Sequence, residues 1–162
     1  MPDSSKSSDD EPQAESVSVD QQTENINPMV SPSRSIRPHG TEAGRKLAAA
    51  AAQVAIENNG FDVMVIDVCQ QSAEFDLFVL ATGTSRRQLH AISEQIDDVL
   101  QKELGDQRLG REGYEESRWI VLDYGNVVIH LFDEETREYY DLESLWADGV
   151  AIPLSELGIQ VD

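Results

Sequence analysis

The chain has 162 residues and carries 31 acidic side chains against 12 basic ones, for a net charge of −19. That imbalance excludes a nucleic-acid groove formed by the whole surface, because phosphate binding needs clustered Lys and Arg. One cysteine, Cys69, excludes an internal disulfide and any multi-cysteine zinc site, and no segment approaches the roughly 18 apolar residues of a membrane helix.

Residues 1–40 are Ser, Asp, Glu, Gln and Pro with few large apolar side chains, the composition of an acidic, Ser/Pro-rich disordered tail. The opening MPDSSKSSDDEPQAE has no basic segment followed by an apolar one, so the expected location is the cytosol. This tail holds three basic and seven acidic residues, a net of −4, which leaves −15 for the remainder. The acidity belongs to the domain.

Thr41 is a suitable N-cap, and Leu47, Ala48, Ala51, Val54 and Ala55 recur at helical spacing up to Asn59, with Gly60 as the stop. FDVMVIDV and EFDLFVLATG read as strands joined by QQSA. A second helix follows in GTSRRQLHAISEQIDDVLQKELG, with Leu89, Ile92, Ile96, Val99 and Leu100 on one stripe, Thr84 or Ser85 as cap and Gly105 as terminator. DQRLGREGYEES reads as a loop. WIVLDYGNVVIHLF is then a hairpin about Gly125-Asn126, followed by a helical segment ending near Trp146. VAIPLSELGIQVD has little periodicity, so residues 150–162 are expected to be loosely attached to a domain spanning 41–149. The alternation predicts an α/β fold with a single mixed β-sheet and flanking helices.

Within the hairpin, Tyr124 should face Val127, Leu122 face Ile129, and Ile120 face Leu131, all on the core side. The other side carries Trp119, Val121, Asp123, Val128, His130 and Phe132. Asp123 and His130 are diagonal neighbours there and could meet. A base with neither a nucleophile nor a metal beside it falls short of a mechanism, so the pair reads as structural or as part of a contact surface. The next segment favours a surface. Both tryptophans, with Tyr139 and Tyr140, lie between Trp119 and Trp146 in a chain only 6% aromatic, together with Arg137 and many acids. Trp, Tyr and Arg dominate binding hot spots.

The turn ATGTS joins a strand to a helix N-terminus, where backbone amides can hold an anion, and Arg86 and Arg87 follow it, either to assist an anion or as ordinary solvated charges on the first turn. The turn lacks a P-loop lysine and dinucleotide glycine spacing. It nevertheless prompts the alternative of a nucleotide-binding or nucleotidyltransferase-type enzyme, with Asp67, Asp76 and Asp123 as acids. Nucleotidyl transfer needs carboxylates converging on magnesium, and these three sit on separate strands without a D-x-D pair. A third reading is a structural dimer whose aromatic surface meets only itself.

FDLFVLATGTS followed by an Arg, the EG of REGYEE, WIVLDYGNVVIHLF and REYYDLESLW together resemble the ribosomal silencing factor, or Iojap-related, family from about Glu42 to Gly149. The resemblance implies a nucleotidyltransferase-like α/β fold without established enzymatic activity, cofactor or metal. It implies binding to the large (50S) ribosomal subunit through the ribosomal protein numbered fourteen. That binding blocks joining of the small subunit and represses translation when nutrients are scarce; free members tend to be homodimers. Trp119, Asp123, His130, Arg137, Tyr140, Glu143 and Trp146 are the expected partner-binding residues. Thr84, Ser85, Arg86 and Arg87 are candidates for a minor contact with ribosomal RNA or another anion. Asn126 replaces the family's usual Asp in the hairpin turn, where either residue suits a positive φ, and Arg86 and Arg118 replace a usual Ser and Gly. The tail, residues 1–40, has no counterpart.

Overall fold

The computed structural model describes residues 40–160, so the expected N-terminal tail lies outside the described residues except for Gly40. Helix α1 (Glu42–Glu57) is capped as its sequence predicts, with the Thr41 hydroxyl accepting from the Gly44 amide at 2.9 Å. Its end differs from expectation. Asn59, at φ 65°, is the left-handed residue, and the Gly60 amide closes the turn on the Ala55 carbonyl at 2.7 Å.

Strands β1 (Phe61–Asp67) and β2 (Leu77–Gly83) pair antiparallel. After β2 comes α2 (Arg86–Asp97), which runs on as a π-helical segment, Asp98–Glu103, and ends at Gly105 with φ +70°. The chain then adds β3 (Gly110–Glu112), β4 (Trp119–Asp123) and β5 (Val127–Asp133). Two short helices, α3 (Glu134–Tyr140) and α4 (Leu142–Leu145), precede β6 (Val150–Ile152) and a 3-10 turn at Leu154–Leu157.

The six strands form one mixed sheet in the order β3-β4-β5-β2-β1-β6, in which β2 and β5 are parallel and the other pairs antiparallel. The mixed sheet with flanking helices is the fold class read from the sequence. Strand β2 lies near the centre and is buried along its whole length, which explains its unbroken apolar run. Helices α1 and α2 cover one face. Ala48, Ala51, Ala52 and Ala55 are fully buried there against the sheet, so small side chains let α1 lie close.

The hairpin register is the expected one, with Leu122 opposite Ile129 and Ile120 opposite Leu131, and the Tyr124 amide donating to the Val127 carbonyl at 2.9 Å. All six of these side chains enter the helix-covered core. Tyr124 belongs there because its hydroxyl donates to Asp97 at the end of α2, and Arg108 pairs with the same carboxylate. The turn itself departs from expectation: Gly125 has φ +89° and Asn126 is not left-handed, which is the II′ pattern with Gly first.

Two further expectations are corrected. The loop 106–117 contains β3, a three-residue edge strand pairing with β4. The C-terminal segment is not loose over its described part. β6 pairs with β1 through Val65–Ile152, and Ile152 and Ile159 are buried in the core. Its few apolar residues are spaced by Pro153 and Gly158, so no period marks them in the sequence.

Candidate functional site: the second face of the sheet

The face opposite α1 and α2 carries a smaller apolar cluster of Ile66, Val68, Phe78, Leu80, Val128, Phe132 and Leu142. Helices α3 and α4 cover only part of it. The Asp133 carboxylate caps α3 by accepting from the Thr136 amide at 2.7 Å. Asp141, expected to cap a helix with its side chain, instead breaks the segment in two. It sits at φ 47° and makes no side-chain cap, its carboxylate accepting from the Ser144 hydroxyl at 2.6 Å.

The aromatic residues form a connected array. Tyr139 and Tyr140 meet edge to face with ring centroids 4.9 Å apart, and Tyr140 leans on Trp119 at 5.0 Å. Trp119 stacks on Phe132 at 5.0 Å and donates its indole N–H to Nδ1 of His130 at 3.1 Å. Phe78 meets His130 at 4.8 Å and Trp146 at 5.0 Å, both edge-on. Exposure grades along the array. Phe132 and His130 are buried, Trp119 and Trp146 half-buried, and Tyr140 and Tyr139 are 55% and 79% exposed. The aromatics therefore divide between core and surface, and Leu145 on α4 is 70% exposed.

Asp123 and His130 do not pair. Asp123 accepts from the Gly125 amide at 2.8 Å, which serves the turn, while Nδ1 of His130 faces Trp119. An imidazole nitrogen that accepts cannot carry the proton, so neutral His130 holds its hydrogen on Nε2. That Nε2 is buried without a hydrogen-bond partner. Burial pushes the His130 pKa down from 6.5 to about 4, so the ring is neutral near pH 7.

Arg137 anchors the opposite end of the covered region. Its guanidinium bonds Glu143 through Nε at 3.2 Å and Nη2 at 3.0 Å, and donates from Nη1 to the Thr82 hydroxyl at 2.8 Å and to the Asp62 carbonyl. Asp62 lies where the β1–β2 register shifts, at φ 49°. With its donors so engaged, Arg137 is a structural clamp. Around it a cleft of about 710 Å³ is lined by Asp62, Glu134, Glu138, Asp141 and Glu143, so the opening is acidic. A second cleft, about 480 Å³, lies between Trp119, Tyr139 and Tyr140 with Glu116 and Glu135 at its rim.

The ATGTS turn is closed by Gln88 of α2. The Thr84 amide donates to the Gln88 carboxamide oxygen at 2.6 Å, and the Ser85 hydroxyl accepts from the Gln88 amide at 3.1 Å. Arg86 reaches the Glu115 carbonyl at 2.7 Å, and Arg87 is exposed. An anion at this turn would have to displace Gln88, a residue whose role the sequence did not signal. Asp67 accepts from the Cys69 amide at 2.9 Å, and Asp123 is held by its own turn. Among the described residues, no group of three or more His, Cys, Asp or Glu side chains is placed to hold a metal ion. Burial, then the Asp67 and Asp76 carboxylates, push the Cys69 thiol up to about 12, which keeps it protonated. Among the described residues, no helix is long and apolar enough to cross a membrane.

Fold and face together define a small acidic α/β domain whose second sheet face carries a partly exposed aromatic array beside clefts. The family model described as ribosomal silencing factor during starvation matches residues 41–161, and this chain belongs to that family. The ribosomal silencing factor of Bacillus subtilis is 38% identical over 112 residues, which cover 69% of this chain and 89% of that protein. The mouse protein named mitochondrial assembly of ribosomal large subunit protein 1 is 38% identical over 92 residues, 56% of this chain and 40% of its own. A crystal structure of a protein from Chromobacterium violaceum matches with a TM-score of 0.61 at 32% identity, covering 64% of this chain and 86% of that one.

Proposed function

We propose that this protein silences ribosomes by binding the large subunit through ribosomal protein L-fourteen, using the face built by β4, β5, α3 and α4. The bound protein is an obstacle to the small subunit and represses translation under nutrient limitation. It acts in the cytosol, catalyses no reaction, and is a homodimer when free. Family membership across the described domain carries the reading, and the name of the mouse relative points to the large subunit in particular. The surface chemistry agrees. Exposed Tyr139, Tyr140 and Leu145 supply apolar contact area beside Glu134, Glu138 and Asp141, and ribosomal proteins are basic.

The test is co-sedimentation of the full chain with purified large subunits, followed by addition of small subunits. The expected result is a stable complex in the heavy fractions that fails to form whole ribosomes. Normal subunit joining with the protein in excess would overturn the reading.

A further inference from the structure

The part of the second face that α3 and α4 leave uncovered is a groove of about 560 Å³ over β3, β4 and β5. Its apolar wall is made by Phe75, Phe78, Val121 and Val128, and His130 forms part of the same wall. His130 is 7% exposed, and its Nε2 is buried with no hydrogen-bond partner. Since Nδ1 accepts from Trp119, the partnerless atom carries a hydrogen and needs an acceptor. Glu112 and Asp123 are among the groove's lining residues, and the guanidinium of the neighbouring Arg111 lies 3.8 Å over the Tyr114 ring. The groove thus offers an apolar slot, one fixed donor and a surplus of negative charge.

We propose that this groove receives an apolar side chain of the basic ribosomal protein, with His130 Nε2–H donating to the main-chain carbonyl beside it. The inference rests on the function proposed above and deepens it by assigning the pocket and the donor. An apolar side chain suits the slot because its wall has little else to bond. A carbonyl suits the donor because every residue of a peptide brings one next to its side chain. Lys or Arg flanking that residue would lie against Glu112 and Asp123, which favours a basic protein over an acidic one. A buried donor is also a source of selectivity, since a ligand lacking the acceptor leaves it unsatisfied.

The experiment is a titration of the ¹⁵N-labelled full chain with purified ribosomal protein L-fourteen, reading the His130 ring resonances. The expected result is a saturable shift of the Nε2–H signal with slowed hydrogen exchange. Val121→Lys, which places a charged stem in the groove, should weaken binding at least tenfold while leaving the melting temperature within a few degrees. An unmoved His130 signal at saturation overturns the groove assignment and leaves the silencing reading standing. Absence of any binding to L-fourteen or to large subunits overturns both. A His130 shift produced by raising the concentration of the chain alone identifies a second copy as the occupant and also overturns the proposal.

Discussion

Arg137 and Glu143 meet at 3.0 Å across the break between α3 and α4, and the pair ties both helices to the sheet. The arginine side chain is only 10% exposed and also holds the Thr82 hydroxyl on β2 and the Asp62 carbonyl on β1. Arg137→Ala would strand Glu143, which is 34% exposed and so retains some solvation, and would leave a buried hydroxyl without its donor. The expected cost is roughly 2–3 kcal/mol of stability in urea unfolding, after discounting the partly solvated partner. Arg137→Lys should recover less than half, because one ammonium cannot make the forked contact.

Glu143→Lys would break that clamp, so lost binding in such a variant would report the fold as much as the surface. Tyr139 and Tyr140 are better probes because 79% and 55% of their surfaces face solvent. The double substitution Tyr139→Ala with Tyr140→Ala should change unfolding free energy by about 0.5 kcal/mol per site or less, as surface changes usually do. It should nonetheless reduce co-sedimentation with large subunits at least tenfold. Unchanged co-sedimentation would move the contact off this face.

His130 makes stability depend on pH. Its pKa is lowered from 6.5 to about 4 by burial, so between those values the unfolded chain binds more protons than the folded one. The sign follows: the contribution is fully present above about pH 6.5 and is lost as pH falls toward 4. At about pH 4.5 the loss should be on the order of 2–3 kcal/mol. Carboxylates titrate in the same range, so the measurement is a comparison. His130→Leu should flatten the dependence between about pH 4.5 and 6.5 relative to the parent, and equal slopes in the two proteins would contradict the buried neutral ring.

Legibility in the sequence followed the physics of each segment. The hairpin register could be read because a period of two combined with a Gly-led turn fixes which side chains share a face. The cap at Thr41 and the Ala-rich stripe of α1 were legible for the same local reason. Which aromatics are core was not. Trp119, His130 and Phe132 lie on the face that alternation assigns away from α1 and α2. Whether that face is open depends on where α3 and α4 land, and the left-handed Asp141 sets the turn between them. Asp123 and His130 share a face, but each found a nearer partner. The anchoring of Arg137 is not legible either, because one sequence cannot show that the carbonyl of Asp62, far earlier in the chain, waits beneath it.

The loop before β4 contains a position that only glycine can occupy. Gly113 has φ +76°, and a Cβ there would stand 2.0 Å from the Trp119 carbonyl oxygen, a backbone atom that cannot swing away. Gly113→Ala should therefore displace the start of β4 and destabilise by at least about 2 kcal/mol, more than the ordinary penalty for a left-handed alanine. Thermal melting with Gly105→Ala as the reference isolates the clash, because Gly105 has a similar φ of +70° and nothing within 4 Å.

The C-terminal strand offers a test of how far the domain extends. Ile152 is 4% exposed, pairs across to Val65 and packs in the core beneath the helices, whereas Val150, two residues earlier, is 50% exposed. If β6 is an integral edge of the sheet, Ile152→Ala should cost roughly 2–4 kcal/mol through lost burial and the cavity left behind. Val150→Ala should stay within about 0.5 kcal/mol. A loosely attached segment would make both substitutions silent, because neither side chain would be buried for most of the time. Urea unfolding of the two variants separates the cases, and the contrast between them matters more than either value. Both remove part of a β-branched side chain from the same strand, so a change in strand propensity alone would affect them alike. Unequal costs can come only from the side chain that enters the core.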